Sequence, residues 1–332
     1  MTLLTTRDQL EAIIGTPPAM VLAKTIYHLD PGALSWLSAS VVMIASVAHD
    51  SDIDVVVGGG TLGWANGDQE ALVLPAACLD TSGCLVVGAG FGAIFLVSGL
   101  NEILRVNGRV TASDGNEIRV AVDECYIHCG KALIRSDFWT PVTDRSGALS
   151  LDEFVGECRF LALATCDGEA HADLSPKGDP AGLMVKLGDG EVRFADRPGN
   201  RRIDSFRNMI EQPRVAAALI VPGLHRLIVV NGRAWITDEP SEREAFAVGD
   251  KIPQLVTVIR DIRIEQRESM ALRRAAAAWP ATTPPPALKA GKIAAGHLKL
   301  SAAIGAKLAG YVMSVPGLIK RELAKDYKTN LY

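Results

Sequence analysis

The sequence predicts a mainly β protein of the α+β class, built as two tandem β-rich halves of barrel or sandwich type with a helical tail. Three observations predict it. Short runs rich in Val, Ile, Leu and Phe recur between turn dipeptides. A long-offset internal repeat divides the chain. An Ala-, Leu- and Lys-rich end follows a run of prolines.

Val41–Val47 is the first clear strand. The glycine-rich Gly88–Ala93 leads into a β-like run, so it is discounted as a phosphate loop. In the second half the runs are Arg159–Ala164, Gly182–Leu187, Glu191–Ala195, Arg214–Val221 and Arg226–Thr237. Asp167-Gly168 reads as a hairpin turn. The Asn-Gly-Arg triplets at 107–109 and 231–233 read as hairpin positions, because Asn-Gly accepts positive φ. Beyond the prolines near 280–286, Ala287–Gly310 reads as helix and Leu318–Lys328 as a second, shorter one.

Residues 96–109 (LVSGLNEILRVNGR) align with 220–233 (IVPGLHRLIVVNGR) at an offset of 124, with seven of fourteen positions identical. Trp36–Gly60 lies against Phe154–Gly178 at an offset of 118. Solenoid units are ~20 to 50 residues, so a repeat this long is a duplicated domain. The domains expected are 1–145, 146–280 and a tail of 281–332, with the boundary in the loop-like Pro141–Ala148.

The chain has 332 residues, 48% apolar and 22% charged, with a net charge of −4. That composition belongs to a globular protein and excludes a chain-wide basic footprint, so no nucleic-acid partner is expected. The opening residues lack a secretory pattern, and no apolar run reaches the ~18 to 20 residues of a spanning helix. A cytoplasmic protein with no membrane partner is the expectation. The six cysteines form no Cys-x-x-Cys pair, and Cys125, His128 and Cys129 lack a fourth ligand, so no metal is expected.

Two segments carry chemistry. His171–Pro180 brings Ser175, Pro176, Lys177, Gly178 and Asp179 to a strand end, either as a ligand-facing edge or as a surface turn. In Asp196–Asn208, the spacing of Ile203, Phe206, Met209 and Ile210 is helical, which puts Asn200, Arg201 and Arg202 at a helix start. Free backbone N–H groups, the dipole and guanidinium forks suit a phosphate there. Asp204 in the first turn is also ordinary helix design.

Together, Ser-Pro-Lys-Gly-Asp, Asp-Arg-Pro-Gly-Asn-Arg-Arg-x-Asp-Ser-x-Arg-Asn and Pro-Gly-Leu…Val-Asn-Gly-Arg-Ala resemble the pyridoxamine 5′-phosphate oxidase-like family over about residues 150–240. The resemblance implies Greek-key split β-barrels with FMN between two of them. It places Ser175–Asp179 along the flavin ring, and Asn200–Arg202 with Ser205 at its phosphate. Cys125–Trp139 is similar to the segment that closes the barrel in single-barrel relatives and faces the flavin of the partner barrel. By that likeness Arg135, Ser136 and Trp139 join the cofactor set, while His128, Cys129 and Lys131 are candidates for acid–base work.

The halves lack complementary pieces. Half one has Val57–Gly60 against Ser175–Gly178, and Ala76–Asp80 against Gly199–Ile203. Half two has Arg263–Trp279 in place of the His-Cys-Gly-Lys segment. The expectation is an intramolecular pseudo-dimer with one composite FMN site per chain. The function expected is a flavin-dependent oxidoreductase acting on a small organic substrate, reduced by NAD(P)H, a separate reductase or the substrate itself. F420 or haem as ligand, a non-catalytic binder and a pseudoenzyme are the alternatives. Monomer and homodimer both remain open.

Overall fold

The computed structural model describes residues 2–50, 52–142, 149–278, 283–286, 288–304 and 331–332. The predicted helix Leu318–Lys328, and much of the loop before 149 and of the proline run, lie outside the described residues.

In the first half the strands are β1 (Val42–His49), β2 (Asp52–Gly59), β3 (Asn66–Gly67), β4 (Ala71–Pro75), β5 (Gly90–Leu96), β6 (Ile103–Ser113) and β7 (Glu117–His128). In the second they are β8 (Phe160–Cys166), β9 (Ala172–Gly178), β10 (Lys186–Gly188), β11 (Glu191–Asp196), β12 (Arg214–Ile220), β13 (Arg226–Thr237) and β14 (Leu255–Glu268). The first sheet runs β2-β1-β5-β6-β7-β4-β3, and the second runs β9-β8-β12-β13-β14-β11-β10. The two orders correspond strand for strand, so the duplication extends from sequence to topology. The protein is two tandem split-barrel-like domains of antiparallel strands with a C-terminal helix.

The continuous apolar runs have a simple cause. Along β1, Met43, Ala45 and Val47 enter the core of the first barrel, while Val42, Ile44 and Ala48 enter a second core between the barrels. Along β8, Leu161 and Leu163 face the core of their own barrel, and Phe160, Ala162 and Ala164 face the shared one. A strand with period-2 side chains and both faces covered needs apolar residues throughout.

The helices are α1 (Arg7–Ile14), α2 (Ala19–Ala23), α3 (Pro31–Ala39), α4 (Lys131–Arg135), α5 (Leu151–Glu157), α6 (Asp204–Glu211), α7 (Pro240–Glu244), α8 (Met270–Arg274) and α9 (Ala290–Ile304). Thr6 with Gln9, and Ser150 with Glu153, form capping boxes that start α1 and α5. The chain ends cross over. Leu4 bridges Ile236, and Leu10 of α1 is buried in the second barrel. From α9, Ala290 and Ile293 pack into the first.

Three sequence expectations change. Gly182–Leu187 is strand only from Lys186, because Gly182 turns the chain with a φ of 78°. The Asn-Gly-Arg triplets are not hairpin turns. They sit inside β6 and β13 at register shifts. A Cβ on Gly108 or Gly232 would come within 1.9 Å of the Ala121 oxygen or 2.5 Å of the Arg260 oxygen, so glycine is needed there for close strand approach. The repeat also slips by one residue. Val42 faces Gly59, and Phe160 faces Gly178, because the β8–β9 loop is longer than the β1–β2 loop. Ser175–Gly178 therefore corresponds to Val56–Gly59.

Candidate functional site

A cavity of about 800 Å³ opens between the barrels. The first barrel supplies His128, Cys129, Lys131 and Arg135 to its wall, and the second supplies Ser175, Pro176, Lys177, Gly178, Asp179, Asn200, Arg201, Arg202 and Ser205. Ser136 and Trp139 are not on that wall. The Ser136 hydroxyl donates to the Leu133 carbonyl at 3.1 Å. Trp139 donates to the Leu100 carbonyl at 2.7 Å and meets Phe138 edge-on inside the inter-barrel core. Both support α4 from behind.

β7 ends at His128, and Gly130 leads into α4. Arg135 on α4 donates through Nε to the Gly178 carbonyl at 2.9 Å. Its Nη1 donates to the carbonyls of Pro198 and Leu331. The other barrel repeats the contact: Arg274 on α8 donates to the Gly59 carbonyl at 2.9 Å. So α4 and α8 are pseudo-symmetric partners, and each docks on the other barrel's second strand.

His128 Nδ1 lies 3.0 Å from the Cys129 carbonyl, which can only accept, so the proton sits on Nδ1 and Nε2 keeps its lone pair. Burial, reinforced by the nearby Arg105 charge, holds the imidazole pKa down at about 3. His128 is thus neutral near pH 7: Nε2 can accept a hydrogen bond, but at this pKa the ring is a weak base and has no proton to give as imidazolium.

Across the cavity, Lys177 pairs with Asp196 at 2.8 Å and lies over the Phe206 ring. Asn200–Arg202 precede α6, which begins at Asp204 without a side-chain cap. Arg201 is exposed, has a φ of 59°, and makes no ion pair or side-chain hydrogen bond among the described residues. Arg202 is engaged elsewhere. Its Nε donates to Asp204 at 2.7 Å, and its guanidinium lies 4.5 Å from the Tyr126 ring centre.

Among the wall residues given no role from sequence, three are charged and buried. Arg105 on β6 is buried and pairs with the buried Asp173 on β9, joining the barrels beneath the cavity. Burial raises the Asp173 carboxyl pKa, and Arg105 opposes that. The signal was present in the repeat, where Arg105 aligns with the apolar Val229. Arg197 is also buried. Its Nε donates to both oxygens of Asp179, at 3.0 and 2.8 Å. Two buried donors of this loop, Arg197 Nη2 and Asn200 Nδ2, have no hydrogen-bond acceptor among the described residues. The wall carries eight Lys or Arg side chains against five Asp, which favours an anionic ligand.

The pseudo-symmetric position differs. A cavity of about 320 Å³ there is lined by Asp54, Asp80, Glu265, Glu268 and Arg267. Arg267 occupies the place of His128, bonding Asp54 and Glu265, each at 3.0 Å. Where the second barrel has α6, the first has only a turn at Ala76–Cys78 and a loop.

Residues 150–280 match the family model described as pyridoxamine 5′-phosphate oxidase. No curated protein matches the chain. Among solved structures, HupZ of Group A Streptococcus is 21% identical, over 36% of this chain and 96% of its own, with a TM-score of 0.29. General stress protein 26 of Bacillus anthracis is 15% identical, over 36% and 95%, with a TM-score of 0.28. A protein titled F420 reductase is 16% identical, over 36% and 98%, with a TM-score of 0.27. No helix among the described residues is long and apolar enough to cross a membrane.

Proposed function

We propose, on the match of residues 150–280 to the pyridoxamine 5′-phosphate oxidase family model, that the chain is a flavin-dependent oxidoreductase with one composite FMN site. The observation that carries the reading is the asymmetry of the two inter-barrel cavities. One gathers His128–Arg135 and Ser175–Ser205 around an excess of cations, while the other is acidic and crossed by the Arg267–Asp54 ion pair.

The residues fit the group. Arg197 Nη2 and Asn200 Nδ2 are buried donors in want of an acceptor, next to Arg201 and the uncapped start of α6. These are the groups that would hold the phosphate. Ser175–Asp179 would border the ring system from the second barrel, and α4 from the first. The flavin supplies hydride and electron transfer when bound. Lys177, held by Asp196, sets a fixed positive charge beside that edge. His128 Nε2 is a hydrogen-bond acceptor on the wall, with Cys129 and Lys131 beside it. The apolar core behind α4 excludes water from one side. The substrate is a small organic molecule.

The test is the absorption spectrum of the purified protein, with released cofactor identified and counted. About one FMN per chain is expected, and Arg201→Ala is expected to weaken it about tenfold with the fold intact. Two FMN per chain would overturn the composite site. A deazaflavin or Soret spectrum would assign F420 or haem instead. A protein that takes up none of these would be a pseudoenzyme.

A further inference from the structure

The cavity has a third contributor besides the two barrels. Tyr332 returns to its wall from beyond α9, with Leu331 bonded to Arg135 beside it. The Leu331 carbonyl accepts from Arg135 Nη1 at 2.7 Å, and the Tyr332 ring lies 5.5 Å from the Arg197 guanidinium. These are two separate anchors, one on each barrel. Arg135 comes from α4, and Arg197 from the loop before α6.

The base of the tail is fixed on the first barrel. Ile293 of α9 packs in the first barrel's core, and a Cβ on Gly32 of α3 would come within 3.0 Å of its side chain. His297 is fully buried, with Nε2 3.3 Å from Asp30, the residue that caps α3.

The cavity measures about 800 Å³ with Tyr332 already among its wall residues. That is within the range of sites that take cofactor-sized ligands. Tyr332 therefore leaves room and acts as a wall, not a plug.

We propose that Tyr332 is a ligand-binding residue of the composite site, giving an aromatic face to the bound ring system while its contact with Arg197 orients the anion-binding guanidinium. Arg197 already has Asp179 on its Nε, and burial pushes the Asp179 carboxyl pKa up. The Tyr332 ring lies near the same guanidinium. Nη2 is then the donor left for a ligand anion. The barrels supply two other rings to the wall, His128 and Phe206, and Lys177 already lies over the second, so Tyr332 adds a separate aromatic face from the tail.

The inference rests on the FMN reading, and the experiment separates the two. FMN is titrated by quenching of its fluorescence into the full-length protein and its Tyr332→Ala and Tyr332→Phe variants. An aromatic face contributes on the order of 0.5–1.5 kcal/mol, a factor of roughly 2 to 13. Tyr332→Ala is expected to bind FMN about 3- to 10-fold more weakly, with Tyr332→Phe near wild type. Unchanged affinity in Tyr332→Ala would overturn the wall, and tighter binding would make Tyr332 a plug. If the wild type takes up no FMN, the flavin reading and a flavin-binding role for Tyr332 fail together. Docking of the tail is still read independently in a Tyr332→Trp variant. Its added emission should be shielded from acrylamide, and Arg197→Ala should expose it. An indole quenched as freely as in water would overturn the docking itself.

Discussion

His128 ends β7 and brings the clearest titration to the site. Its folded pKa is held at about 3 by burial and Arg105, below the ordinary value near 6.5. Between those values the unfolded chain takes up a proton that the folded one refuses. Stability from this group is therefore complete above pH 6.5 and drains away as pH falls toward 3. His128→Gln removes the titration and keeps a hydrogen-bonding side chain. Urea unfolding at pH 7 and pH 4.5 should show the variant losing less stability than wild type. The difference should be on the order of 1–2 kcal/mol, since the side chain is only partly shielded. Parallel losses would mean that the imidazole titrates normally. The buried charged residues given no role from sequence share one feature. Arg105, Asp173 and Arg197 act in pairs that meet only after folding, across the barrels or across a loop. A cation in a strand pattern reads as a solvated face until its carboxylate is placed against it. Ser136 and Trp139 show the opposite case. They lie within the family-like segment, but one turn of α4 and the bend after it carry them to the core side.

At the scale of elements, the site depends on how closely α4 approaches β9. A Cβ on Gly178 would come within 1.9 Å of the Ala132 carbonyl oxygen, and one on Gly59 within 2.7 Å of the Ala271 oxygen. These are equivalent contacts of the pseudo-dimer, each beside an arginine-to-carbonyl hydrogen bond. Gly178→Ala and Gly59→Ala should each destabilise by about 1–3 kcal/mol through overpacking. On the proposed FMN site, only Gly178→Ala should release flavin, because of the two helices α4 carries cavity residues and α8 carries none. Equal cofactor loss in both variants would show that flavin content reports general stability. Strand identity was largely legible, since β1, β8, β11, β12 and β13 follow apolar runs whose two faces serve two cores. The Asn-Gly pairs misled because one dipeptide suits both a tight turn and a bulge, and only the partner strand decides between them. The one-residue slip between β2 and β9 escaped notice because it arises in loop length, while the hydrophobic pattern of the strands is unchanged.

Over the whole molecule, the two halves are not separable bodies, although each has its own sheet and core. The outer faces of β1, β2 and β5 meet those of β8, β9 and β12 in a shared apolar core, with Ala132 and Leu133 of α4 and Ala271 and Leu272 of α8 added to it. Each half also holds an end of the other: α1 covers the second barrel, and α9 covers the first. Unfolding one barrel alone would expose the shared core and detach an end helix, so neither half has an inexpensive route to separate opening. Calorimetry should therefore give one transition, with the van't Hoff enthalpy equal to the measured one. The proposed FMN site gives the stricter test. A ligand at one hundred times its Kd adds about 2.7 kcal/mol to a unit that binds it. For a chain of this size that is roughly 4–6 °C in Tm. The whole transition should move, because the site draws its walls from both barrels. Two transitions, of which only the second barrel's responds to FMN, would show that the duplicated halves kept their independence and that the first barrel contributes no binding energy.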